Sequence, residues 1–312
     1  MLSIDKVFHA SVVLKNIVRD TTIVPTEGIT EDCQLFLKPE NLQKTGSFKL
    51  RGSGYKISML SDEEKQRGVI ACSAGNHAQG VALAATKSGV NSIICLPDSA
   101  PISKIEATKR YGAQVCLVEG VYDDAYNRAL ELKEERGYTF VHPFDDEDVI
   151  AGQGTIGLEI VQEMNDVDAV IVPIGGGGLI SGVAFAIKSM NPNIKVYGVQ
   201  AAGAPSMFNS VHEGSIGCLE SVSTIADGIA VKQPGEHTFS LVQKYVDDIA
   251  LVTEDEIAAA ILTLIEKQKM VAEGAGAVSV AAAMFNKFPI AGKRVVSLVS
   301  GGNIAVRILS RV

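Results

Sequence analysis

The sequence predicts an α/β protein with mostly parallel sheet, built as two lobes or as one large unit, and three observations carry that prediction. From about Gly68 onward, short apolar runs alternate with segments of helical period about 10 to 15 residues long, the pattern of parallel strands joined by crossover helices. The chain has 312 residues, more than one hydrophobic core usually serves. No Pro/Gly/Ser-rich linker divides it, so if there are two lobes the chain is expected to cross between them more than once.

The elements follow in order. VIACS (69–73) leads into NHAQGVALAATKSG (76–89), SIICLP (92–97) into ISKIEATKRYG (102–112), and AQVCLVEG (113–120) into VYDDAYNRALELKEERG (121–137). YTFVHPF (138–144) precedes a helix ending near Asn165, AVIVPI (169–174) runs into GLISGVAFAIKSMN (178–191), and KVYGVQ (195–200) follows. SLVSGGN (297–303) is a late strand that ends in Ser300 and two glycines. Asp98 and Pro101 before the second helix and Gly112 after it match the preference for N-terminal Pro and C-terminal Gly. The acidic DDED at 145–148 reads as a solvated helix start, where carboxylates favour the positive end of the dipole.

Composition narrows the function. Hydrophobic residues make up 46% and charged residues 21%, a globular balance. A net charge of -8 disfavours nucleic acid, whose binding depends on clustered Lys and Arg. Cys33, Cys72, Cys95, Cys116 and Cys218 form no CxxC pair and read as free thiols in a reducing cytoplasm. His9, His77, His142, His212 and His237 show no HxxxH spacing, so no metal centre is expected from them. Asp5 and Lys6 come too early for a signal peptide, and no apolar run approaches the roughly 20 residues of a membrane span.

The strongest chemical signal is PIGGGGLISG (173–182), in which an apolar strand runs into Gly175, Gly176, Gly177 and Gly178 and then a helix. Bare backbone N–H groups at a helix N-terminus can close around a phosphate, whereas a plain flexible turn would not need four glycines. The dinucleotide pattern G-x-G-x-x-G fails, with Ile180 at its third glycine and Gln200 where an acidic residue belongs; a Walker Gly-Lys-Ser/Thr is absent. A smaller phosphorylated cofactor fits better. TGSFKLRGSG (45–54) sets Lys49 behind Phe48 among small residues. An enclosed lysine loses hydration, its pKa falls, and its neutral amine can attack an aldehyde, although a lone lysine is more commonly a surface or ion-paired group. Pyridoxal 5'-phosphate supplies both the aldehyde and the phosphate. CSAGNHAQG (72–80) can hold a substrate carboxylate on Ser73 and backbone amides, or be an ordinary helix cap. The hydroxyl of Ser300 can meet a ring nitrogen, or mark a plain turn.

Together SFKLRG, SAGNHAQG, GGGGL and SGGN, in this order and at these separations, closely resemble the fold type II pyridoxal phosphate enzymes of the threonine dehydratase and serine racemase group, from about Leu35 to Ser310. The resemblance implies a tryptophan synthase β-like fold, with a large cofactor-binding lobe at residues 1–49 and 146–312 and a smaller lobe at 50–145 inserted in it. It implies that Lys49 forms the imine, with Phe48 beside the ring, Asn76 on the ring 3-oxygen, Gly175 to Leu179 around the phosphate and Ser300 at the pyridine nitrogen. Ser73, Ala74, Gly75, Asn76 and His77 would receive the substrate carboxylate. The expected reaction is deamination of L-threonine, with L-serine second, by a homodimer or homotetramer without the C-terminal regulatory domain of longer relatives. Racemases of the group carry Ser where this chain has Ala74, and bind a divalent cation at positions that match Gln200, Ala204 and Ser206, so elimination without a cation is expected. Serine racemase, hydroxyaspartate ammonia-lyase and a non-catalytic amino-acid-binding regulator are the alternatives.

Overall fold

The computed structural model describes residues 1–305, so the terminal VRILSRV, and with it the last stretch of the resemblance, lies outside the described residues. The chain begins with α1 (Ile4–Leu14), β1 (Val24–Pro25) and β2 (Gln34–Pro39), then α2 (Lys49–Ser58) and α3 (Asp62–Arg67). Strict alternation follows: β3 (Val69–Cys72), α4 (Asn76–Lys87), β4 (Ser92–Pro97), α5 (Ile102–Arg110), β5 (Gln114–Val118), α6 (Tyr122–Arg136) and β6 (Thr139–Phe140). The return half comprises α7 (Glu147–Glu163), β7 (Ala169–Pro173), α8 (Gly178–Met190), β8 (Lys195–Ala201), α9 (Ser206–Glu213), α10 (Glu236–Tyr245), β9 (Asp248–Val252), α11 (Glu254–Gln268), α12 (Gly274–Met284) and β10 (Arg294–Val299).

These strands form two sheets. A six-stranded sheet has the order β1-β2-β10-β7-β8-β9, parallel except at β1, and a four-stranded parallel sheet has the order β5-β4-β3-β6. β2 lies beside β10, so the chain enters the large sheet, leaves to build the small one, and returns. Every residue of β3 and β7 is buried, as expected for parallel strands with helices over both faces.

Local chemistry sets the helix limits. Asp146 caps α7 by accepting from the N–H groups of Asp148 and Val149, Ser61 and Glu64 form a capping box on α3, and Gly137 ends α6 at φ 69°. α7 and α8 cross closely because Gly154, Gly157 and Gly182 leave no side chain between them: a Cβ on Gly182 would lie 2.6 Å from the Gly154 nitrogen. A buried ion network fixes α2 against both the end of β2 and α7. Arg51, fully buried, donates to Glu40 at 2.8 Å and to Glu159 at 2.8 Å, and Lys38 meets Glu159 at 2.8 Å.

The helix expected to end near Asn165 ends at Glu163, where Met164 turns extended at φ -139°. Two expectations need correction. YTFVHPF pairs as a strand only at Thr139–Phe140, because the His142 ring accepts the N–H groups of Phe144 and Asp145 and bends the chain away. DDED is not simply solvated: Asp146 and Asp148 pair with Lys56, Asp148 also with Lys6, and the Asp145 carboxylate caps α10.

Candidate active site

The motifs converge at the carboxyl ends of β3, β7 and β10, the edge where open α/β sheets bind ligands. Ser47 bridges to Gly301, and the Phe48 N–H donates to the Ser300 carbonyl at 3.1 Å, which brings the lysine loop onto the end of β10.

Lys49 is the first residue of α2. Its Nζ donates to the carbonyl of Pro143 at 2.8 Å and lies 5.3 Å from the centre of the Phe48 ring. Burial of the amine pulls its pKa down to about 8, with Glu273 opposing the shift. Burial likewise pushes His77 down to about 3, with the Lys49 charge adding to the effect, and its Nε2 pairs with the Val141 carbonyl at 2.8 Å. The ring of His77 is therefore engaged, and only its backbone faces the loop function expected of it.

Gly175, Gly176 and Gly177 follow β7, and Gly178 opens α8, followed by buried Leu179. At Gly176, Gly177 and Gly178 a side chain has no room. A Cβ on Gly176 would come to 2.5 Å of the Phe144 ring, one on Gly178 to 2.8 Å of the Phe144 backbone, and Gly177 stands at φ 99°, where a Cβ would meet Thr238 at 2.7 Å. The first N–H groups of α8 have no partner within the helix. Pro143 and Phe144 thus join the two halves of the site: one holds the lysine amine and the next packs on the glycine turn.

The other candidates gather around a residue that sequence reasoning missed. Asn76 opens α4, and its Nδ2 donates to Glu273 Oε1 at 2.5 Å, while its Oδ1 accepts from Asn303 Nδ2 at 2.8 Å. Glu273 is 5% exposed, and its N–H donates to the Gly301 carbonyl. Burial first, and then Asp227, push its carboxyl up to about 7. A single acidic residue before the small-residue stretch GAGAV was the available signal. Ser300, 3% exposed, donates to the Ala275 carbonyl at 3.2 Å and keeps its lone pairs free to accept. Ser73 accepts from the Gly75 N–H at 3.1 Å, and nothing lies within 4 Å of a Cβ built on Gly75, so the Ser73 to Asn76 turn borders open space. At the positions matched to a cation site, Gln200 Oε1 already accepts from the Phe208 N–H at 2.8 Å; Ala204 and Ser206 are buried beside it in the sequence.

The residues fit pyridoxal phosphate: a desolvated primary amine, a glycine turn at a helix N-terminus packed too closely for side chains, and a polar rim of Asn76 and Ser300 are brought to one edge. Comparison with known proteins agrees. A family model described as pyridoxal-phosphate dependent enzyme matches residues 14–301. An L-threonine ammonia-lyase of Thermotoga maritima is 54% identical over 100% of this chain and 78% of its own length. The catabolic L-threonine dehydratase TdcB of Escherichia coli is 46% identical over 100% of this chain and 96% of its own. A solved maize serine racemase superposes with a TM-score of 0.95 at 35% identity, covering 99% of this chain and 96% of that one. With most of its length matched by the family model and its site built for the cofactor, the chain belongs to the pyridoxal-phosphate dependent enzyme family.

Proposed function

We propose that this chain is an L-threonine ammonia-lyase, which converts L-threonine to 2-oxobutanoate and ammonia and L-serine to pyruvate as a second reaction. One observation carries the reading: Pro143 holds the amine of Lys49 while its neighbour Phe144 packs on the Gly176 to Gly178 turn, so amine and anion cradle serve one molecule. The substrate comes from the names of the relatives above.

Pyridoxal phosphate, when bound, supplies an aldehyde for amines and a ring that accepts electron density from the substrate's α-carbon. Lys49 is the amine that would hold it, and its freed Nζ would be the base that takes the α-proton. With a pKa of about 8, part of the amine is already neutral near neutral pH. Phe48 would flank the ring, Asn76 would meet the 3-oxygen, and Ser300 would face the ring nitrogen. Gly175 to Leu179 would hold the phosphate, and Ser73, Ala74, Gly75, Asn76 and His77 would receive the substrate carboxylate on their backbone and the Ser73 hydroxyl. Ser300 cannot protonate the nitrogen as an acid would, which favours prompt loss of the β-hydroxyl over long-lived charge on the ring. A racemase needs a proton carrier on the opposite face, and Ala74 carries none.

The smaller lobe is taken as residues 50–145, a reading supported by the four-stranded sheet lying wholly between Val69 and Phe140. A reducing cytoplasm suits five free cysteines, and a homodimer or homotetramer is the assembly expected of the group. No helix among the described residues is long and apolar enough to cross a membrane.

The test is 2-oxo acid release from L-threonine, L-serine and 3-hydroxyaspartate by the wild type and by Lys49→Ala. Threonine is expected to be the best substrate and the variant inactive. Equal turnover by Lys49→Ala, or faster turnover of hydroxyaspartate, would overturn the assignment.

A further inference from the structure

We propose that Thr238, held in place by Asp145, is the positioning residue that turns the Gly176–Gly177 peptide so that its N–H faces the anion cradle. This rests on the reading of Gly175 to Leu179 as a phosphate site. Thr238 lies in the first turn of α10 and is fully buried. Its hydroxyl donates to the Gly176 carbonyl at 2.6 Å, with the Gly235 carbonyl a second acceptor at 3.2 Å, and the Gly235 N–H reaches the same Gly176 carbonyl only at 3.5 Å.

The carbonyl and the N–H of one trans peptide point in opposite directions. Drawing the Gly176 carbonyl toward α10 therefore directs the Gly177 N–H away from α10. Glycines on both sides of that peptide leave it free to rotate, with Gly177 already at φ 99°. The cradle has no side chain of its own to select one orientation, so the selection comes from outside.

Asp145 supplies the rigidity. Its Oδ1 accepts from the Thr238 N–H at 3.0 Å and its Oδ2 from the Glu236 N–H at 3.1 Å, satisfying two donors that the first turn of α10 leaves unpaired. The Ser181 hydroxyl, on α8, donates to the Thr238 carbonyl at 3.3 Å and closes the loop of contacts. The carboxylate thus fixes the backbone of Thr238, and the hydroxyl fixes the peptide of the cradle.

The experiment measures equilibrium binding of two probes, pyridoxal 5'-phosphate and pyridoxal, to the full chain freed of cofactor, by dialysis and visible absorbance. Thr238→Val keeps the shape and removes the hydroxyl. It is expected to weaken binding of the phosphorylated probe about 10- to 100-fold, the loss of one hydrogen bond to a charged group, and to leave binding of pyridoxal unchanged. Thr238→Ser restores the preference, and Asp145→Asn, which retains one accepting oxygen, lowers it to a lesser degree. An unchanged preference in Thr238→Val, or equal loss for both probes, overturns the inference. If Thr238→Val does not fold, an unchanged preference in Asp145→Asn does the same. A wild type that binds both probes equally would remove the phosphate cradle itself, and this inference with it.

Discussion

Replacing Glu273 with Gln should change how stability depends on pH. The carboxyl is enclosed against Asn76 and Gly301, with Asp227, Lys104 and Lys49 as the charged groups that face it. Burial and Asp227 raise its pKa from 4.5 to about 7, against the smaller opposing pulls of Asn76 and Lys104. Such a shift means that the folded chain binds this proton about 3 kcal/mol more tightly than the unfolded chain. The sign follows. Between 4.5 and 7 the folded state keeps a proton that the unfolded state has released, so stability falls as pH rises across that window. The contribution is fully present below 4.5 and is lost as pH climbs through 7. Glu273→Gln carries no such proton and lacks this slope. Urea unfolding of both proteins at about pH 5 and about pH 8 should show the variant gaining about 2 to 3 kcal/mol on the wild type at the higher pH. A stability difference that stays constant within about 0.5 kcal/mol would refute the argument.

Four further outcomes are expected. Arg51→Met leaves Glu40 buried without its partner and should cost about 3 to 5 kcal/mol in urea unfolding. Gly182→Ala drives a methyl into the Ile150 carbonyl and the Gly154 backbone at the α7–α8 crossing and should cost about 1 to 3 kcal/mol by calorimetry. Residual serine recovered during turnover should remain L on chiral chromatography, because Ala74 has no proton to exchange; rapid D-serine formation would contradict this. Activity should persist in EDTA, since Gln200 turns its oxygen to Phe208 and a neutral amide and hydroxyl attract a hard divalent cation weakly.

Much of the architecture was legible because it is written locally. The buried strands β3 and β7 are continuous apolar runs, and the turn at the carboxyl end of each is a glycine or small-residue break, VIAC-SAG and AVIVP-IGGG. The burial of the Lys49 amine was legible because its neighbours are too small and apolar for an exposed lysine. Glu273 was not, since a lone carboxylate looks like surface until Asn76, 197 positions away, closes over it. The role of Pro143 was equally hidden: its contribution is a backbone carbonyl, which no side-chain pattern announces. YTFVHPF was overread as a strand because periodicity does not see His142 accepting from the two N–H groups after Pro143.

Pro143, Phe144 and Asp145 lie where the chain passes from the small sheet back to the large one, and in three successive residues they touch the lysine, the glycine turn and the cap of α10. A lengthening or shortening of the backbone by a single residue there would displace all three contacts together. The chain is consequently intolerant of insertions and deletions at a connection that, judged by its secondary structure alone, would pass for an ordinary loop.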